Sequence, residues 1–130
     1  MMRRFRRDDS GASAVELALV MPLFVALVFG LFNYGWALYC GNEVRYAVQR
    51  ASRLLIADPD ATIDELRAAV AQRLNGADID DVDLSLATET LGAGTRIARV
   101  SWRYAYAVET PFLDDAVLTF DSSLLTPLRE

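Results

Sequence analysis

The hydrophobic and polar positions of this chain fall into three regimes. From Leu17 to Tyr39 run 23 residues without a charge, interrupted only by the amide of Asn33. As a helix that run is about 34 Å long, enough to cross a hydrocarbon core of about 30 Å. A chain of 130 residues could hardly bury a helix that is apolar on every side, so the run predicts a membrane span. Beyond it, Val44, Ala47, Val48, Ala51 and Leu55 recur at helical spacing, while Glu43, Arg45, Gln49 and Arg53 fall largely elsewhere. The pattern predicts one helix from about Ala14 to Ile56, half in lipid and half amphipathic, stopped by Asp58-Pro59-Asp60.

The third regime is mixed. Thr62-Ile63-Asp64-Glu65 reads as a capping box that opens a second helix. Ile63, Leu66, Val70 and Leu74 line its apolar face, and Asn75-Gly76 closes it. Strands follow: Val82, Leu84 and Leu86 alternate with Asp83, Ser85 and Ala87. After the turn at Leu91-Gly92-Ala93-Gly94 comes a longer strand, Arg96 to Glu109. Ala98, Val100, Trp102, Tyr104, Tyr106 and Val108 share one of its faces, and Arg99, Ser101 and Arg103 the other. The aromatic stripe is read as a core face. Thr110-Pro111 breaks the strand, and a last one runs from about Ala116 into the tail. An antiparallel meander laid against the long helix satisfies both apolar stripes, which predicts an α+β fold.

Charge sets orientation and narrows function. Arg3, Arg4, Arg6 and Arg7 precede the apolar run, and Arg45, Arg50 and Arg53 follow it. The compact leading cluster favours a cytoplasmic amino terminus, with residues beyond about 40 in a periplasm-like space. The run is too long for a secretory signal, and Tyr39 before Cys40 is too bulky for a lipoprotein cleavage site. The organisation expected is a basic leader over 1–11, a transmembrane helix over 12–39 and an outer α+β domain over 40–130. Net charge is −5, and 58–89 holds nine acids against Arg67 and Arg73, which argues against nucleic acid. His and Lys are absent, removing the commonest general bases, and no phosphate loop or dinucleotide fingerprint is present. No enzyme activity, cofactor or small-molecule substrate is expected. Asp78, Asp80 and Glu89 fit parts of a calcium loop, but Val82 and Asp83 fall where a ligand and a glycine belong, so no metal is expected. The single Cys40 excludes an internal disulfide. It reads as a small residue at a helix interface, with an intermolecular bridge as the alternative.

One residue contradicts the membrane pattern. Glu16 opens an apolar run, and a charge at the bilayer centre costs about 3 kcal/mol even on the lenient insertion scale. At headgroup level in a first helical turn, the helix dipole would favour the acid without any partner. A cut after Gly11 would instead create an ammonium on Ala12, four residues from Glu16 and on the same helix face. At 4 Å and an effective dielectric near 20 such a pair gains about 4 kcal/mol before desolvation, comparable to the insertion cost. Ala14, Ala18, Pro22, Ala26 and Gly30 add a ridge of small or ring-shaped residues at four-residue spacing. Such a ridge admits a second helix at an angle, and Pro22 removes the N–H that would bond to Ala18, so a kink is expected there.

Gly11 followed by Ala12, Ser13, Ala14, Val15 and Glu16, at the head of a membrane run, resembles a prepilin processing site. With the basic leader, "FGLFNYGWALY", "EVRYAVQRASRLL" and the closing "TPLRE", the chain resembles the TadE-like pseudopilins of the tight-adherence (Flp) pilus machinery. Leu17 stands where that family often has an aromatic residue. The resemblance implies a pilin-like fold and cleavage after Gly11 by a membrane prepilin peptidase. It also implies a pairing of Glu16 with a neighbouring subunit's amino terminus. The implied protein is a minor pilin or pseudopilin of the bacterial inner membrane that helps initiate, cap or support a pilus. Its partners would be membrane lipid, the peptidase, other pilins or pseudopilins and the assembly platform. The alternative is an unprocessed single-pass accessory or sensor protein with a partner-binding outer domain.

Overall fold

The computed structural model describes residues 9–92, 95–110 and 113–128. Helix α1 spans Asp9–Ala51, a second helix segment α2 spans Leu54–Ala57, and α3 spans Ile63–Ala71. A 3₁₀ turn at Ile79–Asp81 leads into strands β1 (Val82–Leu91), β2 (Thr95–Thr110) and β3 (Leu113–Pro127). The strands form an antiparallel sheet in the order β1-β2-β3. The α+β arrangement expected from the sequence, a long helix, a short one and an antiparallel meander, is the one observed.

The long helix follows from composition. Its Ala- and Leu-rich run carries no charge between Leu17 and Tyr39, and Arg50 in the last turn complements the negative end of the helix dipole. It begins at Asp9, five residues before the expected start. It also breaks where the pattern suggested continuity. At Ser52 the side-chain hydroxyl donates to the Gln49 carbonyl at 2.9 Å, and Leu55 N–H and Ile56 N–H reach back three residues rather than four. Such back-bonding competes with the regular ladder and divides α1 from α2.

The capping box holds α3 at its start. Thr62 N–H donates to Glu65 Oε2 at 2.8 Å, while Glu65 N–H donates to Thr62 Oγ1 at 3.4 Å. The helix ends at Ala71, earlier than Asn75-Gly76, because Arg73 and Leu74 N–H tighten into three-residue bonds with Val70 and Ala71. Leu66 and Val70 are fully buried, with Ile63 and Leu74 packed against the same core.

Period-two alternation decides which sheet face is covered. Val82, Leu84 and Leu86 pair with Tyr104, Trp102 and Val100, and these six side chains turn inward. Across the second ladder Tyr104 faces Phe120, their rings 6.4 Å apart and stacked. Trp102 and Tyr104 of the aromatic stripe are therefore core, as read from the alternation, 7% and 3% exposed, while Tyr106 is half-buried at the edge of that core. Opposite the stripe lie Cys40, Val44, Ala47, Val48 and Ala51 on one face of α1, with Leu55 of α2 in the same core. β3 begins at Leu113 rather than near Ala116. The leader arginines Arg3, Arg4, Arg6 and Arg7, the turn at Ala93-Gly94, Pro111 and the last two residues of the tail lie outside the described residues.

Candidate functional site

The two halves of α1 do different work. Its first buried residue is Ala37; from Gly11 to Trp36 none is buried. That bare portion holds the membrane candidate, with a mean hydropathy of 2.5 over its best window. At 1.5 Å per residue it is about 39 Å long, enough to cross a hydrocarbon core with some tilt.

Gly11 and Ala12 lie in the first turn and a half of α1, both exposed, with Glu16 exposed just beyond them. The opening N–H groups of a helix have no carbonyl four residues behind them. The Gly11–Ala12 bond therefore sits where the helix unwinds at least cost, and a Cβ added at Gly11 would touch nothing within 4 Å. Along the span Ala14, Ala18, Pro22 and Gly30 are exposed and Ala26 is half-buried. A Cβ at Gly30 or Gly35 would also meet open space. No other part of the described chain fills this ridge. The helix continues through Pro22 as a single element.

The end of the bare portion nearest the α+β head carries an aromatic collar. Tyr34, Trp36 and Tyr39 are each about half exposed, and the Trp36 and Tyr39 rings stand 5.4 Å apart. Amphipathic rings gather at the headgroup level, so the collar suits one boundary of the candidate span. A shallow groove of about 660 Å³ opens there between Phe32, Trp36, Tyr39 and Tyr106. Asn33, the amide inside the apolar run, donates to the Phe29 carbonyl at 3.0 Å. That bond satisfies a donor which lipid could not.

Three contacts that set the helix on its domain were not legible in the sequence. Glu43 lies off the apolar stripe, yet its carboxylate accepts from Asn75 N–H at 2.6 Å and Gly76 N–H at 2.9 Å. It clamps the segment after α3 onto α1. Gly41 lets β3 approach closely, since a Cβ there would stand 2.9 Å from Phe120 Cγ. Cys40 is sealed at 0% exposure and donates to the Gly76 carbonyl at 3.5 Å. That burial leaves a second chain's sulfur no access, so Cys40 is a core residue at a helix interface. Burial pushes its thiol up from the ordinary value of 9.0, against a hydrogen bond with Tyr104 that lowers it. Tyr104 is also pushed up, first by burial and then by Cys40 beside it.

The acidic run is local scaffolding in part. Asp78 accepts from Asp80 N–H at 3.2 Å and so closes the 3₁₀ turn. Among the described residues no three Cys, Asp or Glu side chains stand together as a metal-binding group.

The described residues thus form a bare apolar helix, the one candidate membrane span among them, carrying a small α+β head. Residues 11–53 match the family of TadE-like proteins, a match that begins at the glycine and ends two residues beyond α1. Over that segment the chain is similar to TadE-like proteins. No curated protein and no solved structure matches it.

Proposed function

We propose that this chain is a minor pilin or pseudopilin, a membrane-anchored structural component that assists assembly or initiation of a Tad/Flp-type pilus. The observation that carries the reading is the coincidence of the family match at 11–53 with the bare half of α1 and its exposed start. In this account the leader is cytoplasmic and the α+β domain lies outside the inner membrane. Prepilin peptidase cuts after Gly11, the new ammonium on Ala12 meets a Glu16 carboxylate, and the pair lowers the cost of holding that acid in lipid. The ridge of Ala14, Ala18, Pro22, Ala26 and Gly30 then packs against the helices of other pilins or pseudopilins. The role is one of packing, with no turnover.

The test is co-purification with the pilus machinery from cells that carry it. Native chain is expected with pilin subunits and the assembly platform. Gly11→Leu, which puts a bulky residue before the cut, is expected to stay in the membrane and to lose that association, and Glu16→Gln to associate weakly. If both variants assemble as the native chain does, the protein is instead an unprocessed anchored accessory protein.

A further inference from the structure

The head domain has a charged front and a hollow back that fit each other. The front is the outward face of α1 above the collar, where Asn42, Arg45, Tyr46, Gln49, Arg50 and Arg53 are all exposed. Arg45, Arg50 and Arg53 have no ion-pair partner among the described residues, whereas Arg96 and Arg99 pair with Asp60 and Glu89. The back is the face of the sheet turned away from α1. There Asp83, Arg103 and Asp121 stand in register as one row, and Ser85, Ser101 and Ser123 as the next. These two rows floor a shallow hollow of about 660 Å³. Asp83 and Asp121 are exposed and likewise lack an ion-pair partner among the described residues.

We propose that the exposed face of α1 in one copy docks into the serine-floored hollow on the back of the sheet of a second copy. The spacing agrees. Arg45 and Gln49 share a helix face and are about 6 Å apart along the axis, while adjacent like-facing rows of a strand are about 6.7 Å apart. Arg45 set over the Asp83–Arg103–Asp121 row, reaching the carboxylate of Asp83 or Asp121 to one side of Arg103, therefore places Gln49 over the serine row, where an amide can exchange hydrogen bonds with hydroxyls. Tyr46 offers its ring to the Arg103 guanidinium. The serine row is built of short side chains, so a helix can approach closely there. Front and back are opposite faces of one domain. The contact is therefore heterologous, and it repeats from copy to copy as an open row rather than closing into a pair. This inference rests on the assembly reading above and adds to the membrane ridge a second contact, made by the head domains.

The test uses the full chain in membranes of cells that carry the pilus machinery, with the buried Cys40 left in place. Chains bearing both Gln49→Cys and Ser101→Cys, under mild oxidation, are expected to give a ladder of disulfide-linked multimers. Chains bearing one substitution each, expressed together, are expected to stop at the dimer. Adding Asp83→Arg and Asp121→Arg to the double-cysteine chain is expected to abolish the ladder, and Arg45→Asp added to these to restore part of it. Three results would overturn the inference: no multimers, dimers of Gln49→Cys with itself, or cross-links only to a different protein. The intact mass of the same sample separates the two readings. A mature chain beginning at Ala12 without a ladder removes this contact alone, while a retained leader counts against the pilin reading itself.

Discussion

Gly41→Ala has a sign that the geometry decides. Alanine in a helix interior is favoured over glycine by about 1 kcal/mol, so propensity alone predicts a more stable chain. The structure opposes this. The added Cβ would stand 2.9 Å from Phe120 Cγ and 3.1 Å from both Cδ atoms. These atoms are the root of the ring, next to the β3 backbone, so relief requires the strand to move rather than a side chain to swing. Overpacking of this kind costs about 1–3 kcal/mol. The net is a loss of about 1 kcal/mol in the native chain. With Phe120→Ala the obstacle is gone, and Gly41→Ala should then stabilise by about 1 kcal/mol, a coupling of roughly 2 kcal/mol between the positions. The assay is urea unfolding of the four chains in mild detergent, followed by near-ultraviolet circular dichroism. Should Gly41→Ala stabilise the native chain, or act equally in both backgrounds, the close approach of α1 and β3 is wrong.

Other consequences are equally direct. Glu43→Ala removes two charge-assisted hydrogen bonds on a half-exposed carboxylate; a loss of about 2 kcal/mol raises exchange at the Asn75 and Gly76 amides roughly 30-fold, measured by hydrogen exchange. Thr62→Ala breaks the capping box at α3 and should cost about 1 kcal/mol, read from the urea midpoint. Cys40 and Tyr104 keep their protons in the folded chain above the pH at which an unfolded chain releases them. The folded state thus binds more protons at alkaline pH. Stability should be level through neutrality and fall as pH rises past the ordinary thiol value of 9.0, and Cys40→Ala should flatten that fall. A midpoint that rises above pH 9 would contradict it.

What the sequence reveals depends on how far apart the interacting residues lie. The capping box at Thr62 and Glu65 is local, both halves within four residues, and was legible in full. So was the inward face of β2, because period two places Val100, Trp102 and Tyr104 together whatever covers them. The break at Ser52–Arg53 was not, since the apolar pattern continues to Leu55 and only a hydroxyl bonding backward interrupts the ladder. Glu43 was out of reach for a different reason: its partners are backbone amides 32 and 33 residues away, which no side-chain pattern marks. Gly41 carries no signal of its own in the sequence, because Phe120, which stands over it, lies in a strand far along the chain. For the membrane half, the sequence singles out Gly11, Ala12 and Glu16 because the contradiction lies in a single short stretch. The processing proposed for them involves a partner enzyme and a second chain, and neither is written in one copy's fold.

The most direct measurement is the intact mass of the full chain extracted from membranes, with and without prepilin peptidase in the same cells. The account predicts a chain that begins at Ala12 when the enzyme is present and one that keeps residues 1–11 when it is absent. The same leader-bearing mass in both samples would contradict it.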